Sequence, residues 1–368
     1  MRVVQMSDEC LMKRGIHTTE RLEKGKFYIM SDELFQMLQT LNPFLLGLEI
    51  PFREIYNKYN GENLNGKRLM ALRHGGGGDI LFMTTGLKYL KKMYPDVTLA
   101  AATGDMYLPL AMYEPEIAET YHVPISLDEW NMFHYHIIFE GIIEANTEAQ
   151  QLNAYDLFLK EMCQDIKKVP VLDKIPSLTV GPEEKAAALE VMEKLSPGKL
   201  KVGIQAMTST AIRNYPANYW VPIGKALVER GFSVFFYGSS PQEVAISNLV
   251  QTVGHGAFNA VNEDLGKSIA LASFMDYFIA PDSMFIHVAG ALRIPVIGVY
   301  GPFKSALRMH YFKDAVGIDS DVGCSPCFMH GQFPCWKGDP SPCFSTITYK
   351  TIIDVFDKLV ENCEGARE

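Results

Sequence analysis

Apolar and polar positions along the chain fall into two alternating series. The first opens at Lys67: "KRLMALRH" reads as a strand buried on both faces, Asp79 to Met93 as a helix, and "VTLAAAT" as the next strand. "YHIIFE" at 135–140 is a further strand, and "NAYDLFLKEMCQDI" has the apolar spacing of an amphipathic helix. The second series begins with the strand "KLKVGIQAM" and the helix "ANYWVPIGKALVERG", closed by Gly231. It continues through "FSVFFYG", "PQEVAISNLVQTVG", "EDLGKSIALAS", "MDYFIAP", "DSMFIHVAGALR" and "IPVIGVYG", and the chain closes on a helix, "TYKTIIDVFDKLVENC". Between the two series, "KKVPVLDKIPSLTVGPEE" has the proline and charge of an interdomain linker. Strands alternating with helices predict parallel sheets covered on both faces. The expected fold class is therefore α/β, two tandem Rossmann-like doubly wound lobes. A ligand cleft is expected between them, because such sheets bind at the carboxyl ends of their strands.

Residues 1–66 break this rhythm. "RLEKGKFYIMSDELFQML" predicts a hairpin and then a helix capped near Ser31. The segment is expected to be a small extension without which the rest still folds.

Composition narrows the classes. A chain of 368 residues is long for one core and comfortable for two, and 48% hydrophobic with 21% charged residues is ordinary for a globular protein. A net charge of -9 argues against a general polyanion binder, so nucleic acid is not an expected partner. "MRVVQMSDECLMKRG" lacks the apolar region of a secretory signal, and no long apolar run would span a membrane. A cytoplasmic location is expected.

Four stretches carry candidate chemistry. In "LMALRHGGGGDILFM" the loop lacks the Gly-Lys-Ser/Thr ending of a P-loop, and Ile80 takes the last position of a G-x-G-x-x-G pattern begun by Gly75 and Gly77. The turn can present the N–H groups of Gly77 and Gly78 to an anion or sugar, be a tight turn with Asp79 as helix cap, or clear space for Asp79 to do chemistry. In "APDSMFIHVAGALRIPVIGVYGPF", Asp282 ends a strand and caps the next helix, Ser283 follows, and His287 lies five residues on. That is either a cap and a structural histidine or the place where an α/β sheet holds an anionic ligand. "QAMTSTAIRNYPANYWVPI" brings Thr208 and Arg213 to a strand's carboxyl end, where hydroxyls and a planar fork of donors suit a diphosphate; a surface arginine is the plainer alternative. In "FYGSSPQEVA", Glu243 either accepts from ribose hydroxyls or sits in a solvated first turn. Cys324, Cys327, Cys335 and Cys343 form C-x2-C-x7-C-x7-C, a spacing within range of a structural zinc site. It matches no standard finger, so free thiols are the first expectation and a disulfide in a reducing compartment the last.

The strand-GGGGD-helix opening, "RNYPANYW", "PDSMFIHVAGALRIPVIGVYGP" and the cysteine-rich tail, in that order along residues 67–360, together resemble glycosyltransferase family 9, the ADP-heptose:lipopolysaccharide heptosyltransferases. The resemblance implies a GT-B fold: an acceptor-side lobe at 67–180, a nucleotide-sugar lobe at 181–345, and a last helix at 346–368 returning to the first lobe. It implies inverting, metal-independent transfer of a heptose or similar sugar from a nucleotide-diphosphate sugar, ADP-linked by preference, with no bound cofactor. The acceptor would be a hydroxyl of a glycan, glycolipid or other molecule in glycan or lipopolysaccharide assembly, with peripheral membrane contact. By position Asp79 is the general base, and Gly77, Gly78, Thr208, Arg213, Glu243, Asp282, Ser283, His287 and Gly301 form the donor-binding set. The chain departs from the family in having His74 and four glycines before Asp79, Arg213 for the usual lysine, Asp-Ser-Met for Asp-Thr-Gly, and the extension at 1–66. A non-lipopolysaccharide acceptor, protein, small molecule or modified nucleic acid, and a catalytically silent sugar-nucleotide binder are the alternatives. An epimerase of the same architecture would need carboxylates elsewhere.

Overall fold

The structure is a computed structural model that describes residues 1–14, 18–329, 335–338 and 341–365. It divides into two compact units, Met1–Ile142 with Tyr155–Lys174, and Ile143–Ala154 with Ile175–Glu368. The sequence pattern places a single boundary near residue 180. The chain instead changes unit after Ile142, after Ala154 and after Lys174.

In the first unit the strands are β1 (Arg2–Met6), β2 (Cys10–Arg14), β3 (Thr18–Leu22), β4 (Phe27–Met30), β5 (Leu46–Ile50), β6 (Arg68–Leu72), β7 (Thr98–Thr103), β8 (Glu119–His122), β9 (Ile125–Ser126) and β10 (Tyr135–Ile138). Strands β6, β7, β8 and β10 form a parallel sheet in the order β10-β6-β7-β8, and β5-β1-β4-β9 form a second, antiparallel one. The hairpin expected within 21–30 does not form: β3 pairs antiparallel with β2, while β4 pairs with β1 and β9. The expected helix follows as Asp32–Leu41, where the Leu34 N–H donates to Ser31 Oγ at 3.2 Å.

Residues 1–66 do not stand apart. Their sheet takes in β9, with Ile29 opposite Ile125. The period-two alternation of β1 and β4 then divides their apolar residues between two cores. Val3 and Ile29 pack with Met70, Leu72, Ala100, Ala102 and Trp130 of the parallel-sheet half. Val4, Met6, Tyr28 and Met30 pack with Leu34 and Leu38 of the helix. One face of the N-terminal sheet is thus a wall of the first unit's own core.

The second unit contains β11 (Lys201–Gln205), β12 (Ser233–Tyr237), β13 (Ala257–Asn259), β14 (Tyr277–Pro281), β15 (Val296–Tyr300) and β16 (Ala315–Asp319), all parallel, in the order β13-β12-β11-β14-β15-β16. This is the doubly wound order, and its direction reverses between β11 and β14. The C-terminal helix Tyr349–Gly365, expected to return to the first lobe, lays its apolar face on this unit. Ile352, Ile353, Phe356 and Leu359 join Trp220, Leu227 and Tyr277 in one core. Among the described residues no helix is long and apolar enough to cross a membrane.

Candidate active site

In each unit the chemistry-bearing residues gather where the strand order reverses. In the first sheet that point lies between β6 and β10, so the loop carrying the glycines adjoins the end of β10. The helix after β6 begins at Gly77 with Gly76 as its cap residue, so Asp79 stands at the third helical position and not at the cap. Its carboxylate forms an ion pair with Arg73 Nη2. The buried Arg73 guanidinium is fixed from three further sides: Nε donates to the Gly75 carbonyl at 2.8 Å, Nη1 donates to the Phe139 carbonyl at 3.0 Å, and Glu140 lies 3.5 Å from Nη1. Glu140 also accepts the His74 N–H at 2.5 Å, which ties the glycine loop to the end of β10.

Only one of the four glycines is demanded by backbone shape. Gly76 has φ +81°, and a Cβ there would stand 2.8 Å from Asp79 Oδ2. Gly77 and Gly78 lie in the first helical turn, on the same short path to the carboxylate. Tyr107 closes the other side. Burial first, and the nearby Asp79 charge, push its phenol above the usual range, while a hydrogen bond with the Gly76 backbone opposes this.

In the second sheet the reversal lies between β11 and β14, and the loops leaving those two strands hold the other set. Thr208 folds its own loop: its N–H donates to Asn214 Oδ1 at 2.7 Å and its hydroxyl to the Thr210 carbonyl at 2.7 Å. Arg213 Nε donates to Thr210 Oγ1 at 2.6 Å, which turns the guanidinium toward β14. There its Nη1 lies 3.7 Å from Asp282 Oδ2. Asp282 was expected to cap the following helix, but the cap residue is Ser283 and no side chain completes the cap. The buried Asp282 carboxylate faces a second arginine, Arg308, with Nε 3.9 Å from Oδ1. His287, one turn into the helix, is buried. Burial above all, with Arg308 and Arg213 adding and Asp282 opposing, lowers its pKa to about 3, so it is neutral.

The remaining candidates are placed differently. Glu243 is exposed at the start of the helix Glu243–Val253. Gly301 ends β15 in close packing, where a Cβ would stand 2.6 Å from Cys343 Sγ. The seven cysteines are free thiols. Burial raises the Cys343 thiol to about 11, with Cys327, Cys335 and Cys324 near enough to add to the effect. Even so, no group of three or more His, Cys, Asp or Glu among the described residues is arranged to hold a metal ion.

Three site residues escaped the sequence reading. Arg73 and Glu140 sit in quoted strands, and their positions immediately past the last apolar residue were the available signal. Arg308 lies on a four-residue helix, Ala306–Met309, with no pattern to mark it.

The profile described as "Glycosyltransferase family 9 (heptosyltransferase)" matches residues 158–336, a stretch that contains Arg213, Asp282, His287 and Arg308. That stretch, just under half of the chain, is similar to glycosyltransferase family 9. The chain is 26% identical over 121 residues to lipopolysaccharide heptosyltransferase 1 of Pseudomonas aeruginosa, an alignment covering 33% of the chain and 34% of that relative's length. Its fold is the GT-B fold of the E. coli ADP-heptose lipopolysaccharide heptosyltransferase II structure, with TM-score 0.66, 15% identity, 81% of this chain and 99% of that one. The iron-containing dodecameric glycosyltransferase TibC of enterotoxigenic E. coli aligns with TM-score 0.58 and 13% identity over 98% of this chain and 96% of its own. An alignment of that extent takes in the N-terminal sheet as well.

Proposed function

We propose that the chain is an inverting glycosyltransferase that moves a heptose or similar sugar from an ADP-linked donor to an acceptor hydroxyl. The observation that carries this reading is the pair of switch-point sites. One holds a carboxylate in fixed position beside a glycine-lined opening, and the other holds arginines around a carboxylate short of bonds. In the proposed reaction the acceptor hydroxyl attacks the anomeric carbon as the bond to the diphosphate breaks. Asp79 takes the hydroxyl proton, and Arg213 meets the charge that develops on the leaving diphosphate. Positive charge fixed in the protein is what makes the transfer metal-independent in this reading. The acceptor is a glycan of the lipopolysaccharide type, and the work is done in the cytoplasm, in peripheral contact with a membrane where the acceptor is a lipid.

A second reading concerns the acceptor. The N-terminal sheet is built into the Asp79-bearing unit, and the likeness to TibC extends over it whereas that to heptosyltransferase II covers 81% of the chain. In this second reading the acceptor is a molecule other than lipopolysaccharide, a protein included, and the N-terminal sheet is the surface that docks it.

The test of the reaction is a thermal-shift screen with ADP-, UDP-, GDP- and CMP-linked sugars, followed by turnover of whichever donor stabilises the protein. Stabilisation by an ADP-linked sugar, and a product of opposite anomeric configuration by NMR, are expected. Absence of binding to every donor sinks the reading.

A further inference from the structure

Arg308 is a buried guanidinium with little to do inside the protein. It is 6% exposed, yet among the described residues it makes one hydrogen bond, from Nη1 to the Leu307 carbonyl at 3.2 Å. A guanidinium carries five N–H donors, and buried polar groups are as a rule bonded. Its nearest acidic neighbour, Asp282, stands at 3.9 Å, beyond hydrogen-bond reach. Asp282 is in the same condition. It is 4% exposed, lies between two arginines and bonds to neither, and its Oδ2 has no hydrogen-bond partner. The Ser283 hydroxyl beside it is buried and equally without a partner. Among the described residues, two buried oxygens, Asp282 Oδ2 and Ser283 Oγ, are thus without partners beside a guanidinium that makes one hydrogen bond, an arrangement that costs stability unless a ligand completes it.

The cluster is also rigid. The Arg308 guanidinium lies 5.1 Å from the centroid of the buried Phe303 ring, a contact that sets the plane of the fork. The short helix bearing it is tied down by Asn153, whose Nδ2 donates to the Ala306 carbonyl at 2.9 Å. Two guanidiniums and one carboxylate leave a single positive charge. His287, kept neutral by burial, adds none.

We propose that Arg308 is a second diphosphate-binding arginine, paired with Arg213 across Asp282, and that the pair selects a nucleoside diphosphate over a monophosphate. This rests on the donor reading above. Each guanidinium takes oxygens of one phosphate, Ser283 donates its hydroxyl to the same group, and Asp282 keeps the two forks apart so that they match adjacent phosphates. A monophosphate reaches only one fork and leaves the other buried without acceptors.

The experiment is calorimetric titration of the full chain and of Arg308→Gln and Arg308→Lys with ADP, AMP and inorganic pyrophosphate. UDP, GDP and CDP are added for the parent, and melting temperatures are recorded in parallel. The parent is expected to prefer ADP to AMP. Arg308→Gln should weaken ADP and pyrophosphate by about tenfold or more while leaving AMP nearly unchanged, so that the preference collapses. Arg308→Lys, which keeps charge but not the fork, should fall between, and it carries the test if the glutamine variant does not fold. A folded Arg308 variant with the parent's ADP-to-AMP ratio overturns the assignment and leaves the donor reading intact. Equal weakening of ADP and AMP with a lowered melting temperature also overturns it, because that is what a purely structural arginine does. A parent that binds none of the nucleoside diphosphates and no pyrophosphate removes the donor reading itself, and this inference with it.

Discussion

At the scale of single residues, Asp79 is ion-paired with Arg73, and this changes what its substitution does. Asn cannot receive the acceptor proton, so Asp79→Asn is expected to lower turnover roughly 100-fold or more. It also removes one of the two carboxylates beside the buried Arg73, at a cost of about 1–3 kcal/mol. Transfer rate and urea midpoint measured on the same variant separate the two effects; parent-like turnover would remove Asp79 from the chemistry. The glycines give a sharper contrast. Gly76→Ala places a Cβ against Asp79 at positive φ, whereas a Cβ at Gly75 meets nothing nearer than Tyr107 at 3.9 Å. Gly76→Ala should therefore lose stability and activity, and Gly75→Ala should keep both. His287 sets an acid limit. Its folded pKa is depressed from an ordinary value of 6.5 to about 3, so the unfolded chain binds the proton first as pH falls. The stability this histidine contributes is present above pH 6.5 and declines from there toward about 3. Asp282, Arg213 and Arg308 face the same ring. His287→Gln should flatten the melting-temperature profile between pH 6.5 and 4.5, and an unchanged slope would show the ring to be neutral in both states.

At the scale of elements, the N-terminal sheet and the C-terminal helix are each part of a core. Removing residues 1–66 strips Val3 and Ile29 from Met70, Leu72 and Ala100 and exposes one side of the parallel sheet. The shortened chain is expected to be insoluble or to lack cooperative unfolding; a soluble shortened chain with native circular dichroism would show that the sheet is an appendage. Phe356 is fully buried in the second unit, in ring contact with Phe232 and Tyr277. Phe356→Ala should cost about 3–5 kcal/mol, read from denaturant unfolding.

For the whole molecule, the proposed reaction needs a proton acceptor, assigned to Asp79, and fixed positive charge, assigned to Arg213. If arginines carry the leaving-group charge, transfer should be unaffected by added magnesium or manganese. It should also survive chelation while the melting temperature is unchanged. Turnover that depends on an added divalent ion would overturn the metal-independent reading.

What the sequence determined by itself is the α/β alternation, the helix after Ser31, the two glycine- and aspartate-bearing loops, and the resemblance that named the family. These are local signals: apolar period, cap chemistry and residue order along one stretch. Short strands such as β9 and β16 escaped because a few residues carry no measurable period. The partners of the site residues escaped for a different reason. Asp79 and Asp282 both read as helix caps, because position after a strand is all that sequence shows. Only the tertiary structure decides that their carboxylates face Arg73, and Arg213 and Arg308. Those contacts arise where a parallel sheet reverses its strand order and brings together loops distant in sequence. Burial then makes the charges there strong enough to matter.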